Sequence, residues 1–170
     1  MRKQKIHIIG SVGSGKTTLA KTLASTLGTP YYELDNMVWK RSKIGGDIRN
    51  TERERDQQLN EIVATDEWIV EGAHHDWVKP SLDRADRIIF LNVHVTIRVF
   101  RIIKRFVKQI LRLEKANYHP SFQMLVKMFK WTIDFEKERK KEVEKLIYQY
   151  EDKVIVLKDN RGKELDKISS

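Results

Sequence analysis

The run Gly10-Ser11-Val12-Gly13-Ser14-Gly15-Lys16-Thr17 constrains this chain more than any other stretch, because it matches G-x-x-x-x-G-K-[ST] at every fixed position. It follows the apolar run Ile6-His7-Ile8-Ile9, which predicts a buried strand. It precedes a helical run over 18–27 that sets Leu19, Leu23 and Leu27 on one face. Strand, glycine-rich loop and helix in that order make a phosphate cradle. The glycines let successive N–H groups turn inward, and the helix beginning near Lys16 brings the positive end of its dipole. Lys16 is then within reach of β- and γ-phosphates, and the Thr17 hydroxyl can ligate Mg²⁺. The sequence predicts that Gly10, Ser11, Gly13, Ser14, Gly15, Lys16, Thr17 and Thr18 hold MgATP.

A chain of 170 residues suits one domain over 1–170 with a single core. There are no cysteines, which excludes disulfides and thiolate metal sites. Met1-Arg2-Lys3-Gln4-Lys5 runs into the first strand without the apolar stretch of a secretion signal, and no apolar segment is long enough to span a bilayer. A cytoplasmic location with no membrane partner is the resulting expectation. The net charge of +9 has three competing explanations: a polyanionic nucleotide ligand, a nucleic-acid-binding face, or solubility alone.

Further strands are predicted at 31–34, 68–71, 87–93 and 154–157, helices at 52–64, 97–113 and 122–150 with a break at 117–120, and a short helix or turn at 80–84. Thr51 and Glu54 form a capping-box pair before the helix at 52–64. The stretch 40–50 reads as a loop. Short apolar strands alternating with helices predict an α/β fold with a parallel sheet covered on both faces. Ligands bind such sheets beyond the carboxyl ends of the strands, so residues there draw the functional reading.

Asp35 lies just past the second strand, on the phosphate-loop edge, where a carboxylate can orient or deprotonate a hydroxyl acceptor; capping the next turn is its plainer role. Glu71-Gly72 closes the third strand. An acid there can hold Mg²⁺ through water, or simply end a strand. His74 and His75 point apart and match no closed zinc motif, so they read as a solvated loop pair. Trp39 and Trp77 suit either stacking on a ring or filling the core. Asn160 and Arg161, after the last strand, suit an adenine edge or a plain exit loop. The mixed charges over 136–145 read as a solvated surface without chemistry.

The helix at 97–113 carries Arg98, Arg101, Lys104, Arg105, Lys108 and Arg112, with no acid among them. Arg98, Arg101, Arg105 and Arg112 follow helical spacing and predict one basic stripe, with Val99, Ile103, Phe106 and Ile110 facing the core. Such a stripe could close over transferring phosphates as a lid, follow a nucleic-acid backbone, or remain a solvated face.

Together with Leu34-Asp35-Asn36-Met37-Val38-Trp39, Trp68-Ile69-Val70-Glu71-Gly72 and Arg87-Ile88-Ile89-Phe90-Leu91 followed by Arg98, Arg101 and Arg105, the phosphate loop resembles the DNA topology modulation proteins, a family within the adenylate kinase-like small P-loop kinases. The resemblance spans the chain to about Arg105. It implies a five-stranded parallel sheet of order 2-3-1-4-5, an acceptor-binding segment at 35–65 and a helical lid at about 96–120. The family's third strand usually ends Asp-Gly-Asn-Tyr, whereas this chain has Glu71-Gly72-Ala73-His74, whose longer acid changes the carboxylate's reach. The reading that results is ATP-dependent phosphoryl transfer to a small molecule, with a nucleoside or nucleotide as the leading acceptor. Lys16, Asp35, Arg101 and Arg105 carry the chemistry, Asn160 joins the nucleotide site, and Thr17 with Glu71 holds Mg²⁺. The alternative is a nucleotide-dependent DNA-binding protein that uses the basic helix at 98–112. The sequence leaves oligomeric state open.

Overall fold

The computed structural model describes residues 4–40, 47–113 and 121–160. Five strands form one parallel sheet: β1 (Lys5–Gly10), β2 (Tyr31–Glu33), β5 (Trp68–Gly72), β6 (Arg87–Leu91) and β7 (Val154–Leu157), in the order β2-β5-β1-β6-β7. Counted along the parallel strands alone, this is the expected 2-3-1-4-5. β1 is central because its apolar side chains serve both faces: Ile6 and Ile8 pack with Leu19, Ile69 and Ile89 on one side, and Ile9 with Leu34, Val70 and Phe90 on the other. The central strands β1, β5 and β6 are buried on both faces, which is why they read as continuous apolar runs.

Helix α1 (Lys16–Leu27) follows the phosphate loop and stops at Gly28, whose φ of 71° supplies the left-handed C-terminal turn. Helix α3 (Glu52–Val63) starts on the predicted capping box, with Glu54 N–H donating to the Thr51 hydroxyl and Thr51 N–H donating to the Glu54 carboxylate. The second strand is shorter than its apolar run. Leu34 already begins a five-residue helix, α2 (Leu34–Val38), so Asp35 sits in the first turn of a helix and not at a strand tip. Part of the predicted 40–50 loop is also ordered, with Trp39–Lys40 (β3) pairing antiparallel with Ile48–Arg49 (β4). Residues 41–46 between them, the predicted break at 117–120 and Arg161 lie outside the described residues.

Helix α4 (Lys79–Arg84) precedes β6. The predicted helix at 122–150 forms as α6 (Phe122–Asp134), one π turn over Phe135–Arg139, and α7 (Lys140–Tyr148). The buried side chains explain the π turn. Leu125, Met128, Thr132 and Phe135 share a face, but Val143 comes eight residues later. In a straight α-helix that step would carry the stripe about 80° away, and absorbing one extra residue returns it to the core.

Helix α5 (Val95–Ile110) reverses its prediction. Its buried residues are Arg98, Ile102 and Gln109, whereas Ile103 and Ile110 are exposed and Val99 and Phe106 only half-buried. The helix also stops before Arg112, which takes φ 56° beyond its end and leaves the arginine stripe. Hydrogen-bond acceptors on the protein side draw the basic face inward.

Candidate active site

The phosphate loop joins β1 to α1 as predicted. Gly13 and Gly15 take φ 75° and 97°, and a side chain on Gly15 would run into Asn160 as well as into backbone strain. Ser11 and Ser14 are buried, and their hydroxyls have no hydrogen-bond partner among the described residues. Buried hydroxyls and inward backbone beside a cationic side chain form a cradle that fits phosphate oxygens. Lys16 Nζ lies across the loop and donates to Ser11 O at 3.0 Å. Thr18 is exposed in the first turn of α1.

Glu71, the next-to-last residue of β5, is 4% exposed and accepts from the Thr17 hydroxyl at 2.5 Å. Burial raises the Glu71 pKa, while the Lys16 charge and the Thr17 hydrogen bond pull against that rise. Burial likewise lowers the Lys16 pKa, opposed by Glu71 and Asp35 and aided by Arg105 and Arg98. A hydroxyl and a carboxylate joined beside the cradle are hard oxygen donors, and they suit Mg²⁺ completed by water and phosphate. Thr17 would ligate directly and Glu71 through the hydroxyl or a water.

Asp35 and His74 meet beyond the carboxyl ends of β2 and β5, with His74 Nε2 3.1 Å from Asp35 Oδ1. The His74 ring leans on Trp77 at 5.3 Å, and the Arg55 guanidinium covers Trp77 at 4.5 Å. His75 turns the other way, to Glu142 at 2.9 Å. The two histidines do point apart, but each finds a carboxylate, so the solvated-pair reading is corrected. Nothing in their sequence spacing announces this, because the partners are 39 and 67 residues away. Trp39 stands apart, half-exposed on β3.

The arginines of α5 complete the arrangement. Arg101 donates to Ser14 O at 2.8 Å, Asp159 at 2.6 Å and Asn160 at 3.1 Å. Asn160 Nδ2 in turn donates to Gly15 O at 3.3 Å, so the predicted pair Arg101 and Asn160 does lie on the phosphate loop. Arg105 is half-buried and makes a long contact to the Met128 sulfur at 3.6 Å. Arg98 is buried, stacked on Phe135 and paired with Glu136. Glu136 and Glu142 thus make ion pairs that hold the fold, alongside the expected surface without chemistry over 136–145. Asp159 adds a partner that residue type alone did not single out. The four-arginine stripe is not an exposed basic face: Arg98 and Arg101 are held inside, and Arg112 lies beyond the helix.

Fold and site together define a P-loop α/β protein with the architecture of the small-molecule kinases. Over 98% of this chain and 89% of the other, it superposes on a shikimate kinase from Acinetobacter baumannii in complex with shikimate, with a TM-score of 0.55 at 18% identity. A gluconokinase from Sinorhizobium meliloti matches with a TM-score of 0.51 at 15% identity, over 99% of this chain and 89% of that one. No protein-family model matches the chain. In sequence it is 31% identical over 108 residues to the uncharacterized protein YqaC of Bacillus subtilis, covering 61% of this chain and 57% of YqaC. It is 48% identical over 44 residues to a shikimate kinase of Paracidovorax citrulli, covering 26% of this chain and 23% of that enzyme. The chain thus spans little more than half of one curated relative and under a quarter of the other.

Proposed function

We propose that the protein transfers the γ-phosphoryl group of ATP to a hydroxyl of a small molecule. The observation that carries this reading is the Thr17–Glu71 hydrogen bond at 2.5 Å, set against a loop whose Ser14 carbonyl is held by Arg101. That pairing supplies metal donors and fixed positive charge at one place, as phosphoryl transfer requires. Bound Mg²⁺ would neutralise charge on the β- and γ-phosphates. Lys16, Arg101 and Arg105 stabilise the charge that spreads over the transferring group. Asp35, braced by His74, orients the acceptor hydroxyl and receives its proton. A bond forms from the acceptor oxygen to the γ-phosphorus, the bond to the β–γ bridging oxygen breaks, and ADP leaves.

The acceptor we favour is a small polyhydroxylated compound, sugar-like or acidic, in keeping with what the structural relatives are named for. The nucleoside or nucleotide that was the leading expectation has no support among those relatives. The DNA-binding alternative would have to rely on exposed Lys104, Lys108 and Arg112, since Arg98 and Arg101 of the stripe are held inside. The test is ADP release from the purified chain with MgATP and a panel containing shikimate, gluconate, sugars, nucleosides and nucleotides. Acceptor-dependent release is expected from a polyol or hydroxy acid, and Lys16→Ala should lower it about 10²–10³-fold with an unchanged circular dichroism spectrum. An ATP-binding protein that no acceptor activates would overturn the proposal.

A further inference from the structure

Helix α5 presents an apolar stripe to solvent. Phe100, Ile103, Val107, Ile110 and Leu111 recur at three- and four-residue spacing, and Phe100 and Leu111 are 64% and 60% exposed. The inner face of the same helix is held on the phosphate loop by Arg101 and on the π turn by Arg98, so the helix cannot bury the stripe by rolling without breaking both attachments. Exposed Lys104 and Lys108 follow along one flank of the stripe, and exposed Arg112 stands just past the helix end. No acid occurs anywhere from Val95 to Leu113. Phe122 and Ile133 are also exposed on α6, the helix packed against α5.

We infer that this face of α5 docks on an anionic lipid surface. The charge pattern selects the occupant. A second copy packed along this stripe would bring no acid of α5 to meet Lys104 and Lys108. A nucleic acid would engage the lysines but leave five large apolar side chains in water. An anionic bilayer satisfies both: the apolar side chains enter the boundary between headgroups and acyl chains, and the lysines reach the headgroups with their stems laid along the apolar layer. The absence of a spanning helix among the described residues does not bear on such in-plane binding. The expectation of no membrane partner considered only segments long enough to span, and an interfacial helix needs no such length.

The test is co-sedimentation of the full chain with phosphatidylcholine vesicles and with vesicles carrying about 30% phosphatidylglycerol, a charge density typical of anionic leaflets. The protein should pellet with the anionic vesicles alone, and binding should weaken as salt rises. The double variant Phe100→Asp/Val107→Asp should lose at least about tenfold in vesicle affinity, since it removes two apolar anchors. Its ATP affinity and thermal midpoint should match the parent, because both side chains stand exposed on the outer face of α5. Lys104→Glu/Lys108→Glu should lose the preference for anionic lipid. The inference is overturned if the parent does not pellet, or if the Asp variant pellets equally. It is also overturned if sedimentation velocity shows a lipid-independent dimer that the Asp variant dissociates, which would assign the face to a second copy.

Discussion

Glu71 is the residue on which the candidate site turns, because burial and function ask opposite things of it. Its carboxyl is raised in pKa first by desolvation, yet holding Mg²⁺ requires the ionised form. A carboxyl whose folded pKa lies above its unfolded value binds protons more readily when folded. Its stabilising contribution is therefore complete below the ordinary carboxylate range and lost as pH rises through the elevated value. At neutral pH the ionised group costs stability. Glu71→Gln should accordingly raise the thermal midpoint more at pH 7 than at pH 4, while weakening Mg²⁺-dependent ATP binding by about tenfold or more. Differential scanning fluorimetry across pH, with and without MgATP, checks both halves. A variant stabilised equally at both pH values would mean that folding does not raise the Glu71 pKa. The motif made Lys16 and Thr17 legible at once, because their chemistry is written in adjacent positions. His74, Glu136 and Asp159 were not, because each acts through a partner that only the folded chain brings near.

Among the elements, α5 separates what sequence periodicity reports from what it does not. Its amphipathic spacing is plain, and the helix forms where the spacing says. Which face turns inward is decided elsewhere, by the Ser14 carbonyl, Asp159 and Glu136, and these outweigh the usual rule that the apolar side faces the core. The strands were easier to read, since a parallel sheet covered on both faces leaves an unbroken apolar run. The π turn was hidden, because its only signature is a one-residue slip in a buried stripe. That turn sets Glu136 against the buried guanidinium of Arg98, bonding its Nη2, while Nε and Nη1 have no hydrogen-bond partner among the described residues. Glu136→Ala should cost roughly 2–3 kcal/mol, less than a fully enclosed pair would because the carboxylate is 36% exposed. A fall in thermal midpoint of about 5–10 °C is the expected reading. Arg98→Met combined with Glu136→Ala should recover much of it, since no buried charge is then left alone. If the double variant is no better than the single, the loss comes from helix packing and not from an orphaned cation.

At the scale of the whole molecule, the strand order follows the family resemblance, and the sheet's centre carries its acid sensitivity. His7 on β1 is fully buried. Ser81 donates its single hydroxyl proton to Val78 O, so the His7 ring must donate from Nδ1 to Ser81, leaving Nε2 without a partner among the described residues. Burial lowers its pKa from 6.5 to about 3. The unfolded chain thus takes up a proton that the folded chain refuses, and stability falls as pH drops from about 6.5 towards 3. The loss from this residue alone should approach about 4–5 kcal/mol. Urea titrations at successive pH values should show that slope, and His7→Leu should flatten it. An unchanged slope would move the acid sensitivity elsewhere.

One guanidinium also ties together distant parts of the chain. Arg101 bonds to Ser14 near the first strand and to Asp159 and Asn160 just after the last. During synthesis the phosphate loop emerges early, but the residues that brace it are made nearly a whole chain later. A growing polypeptide would therefore carry the nucleotide motif without its finished support. A nucleotide site that depends on this brace would be complete only once β7 has docked.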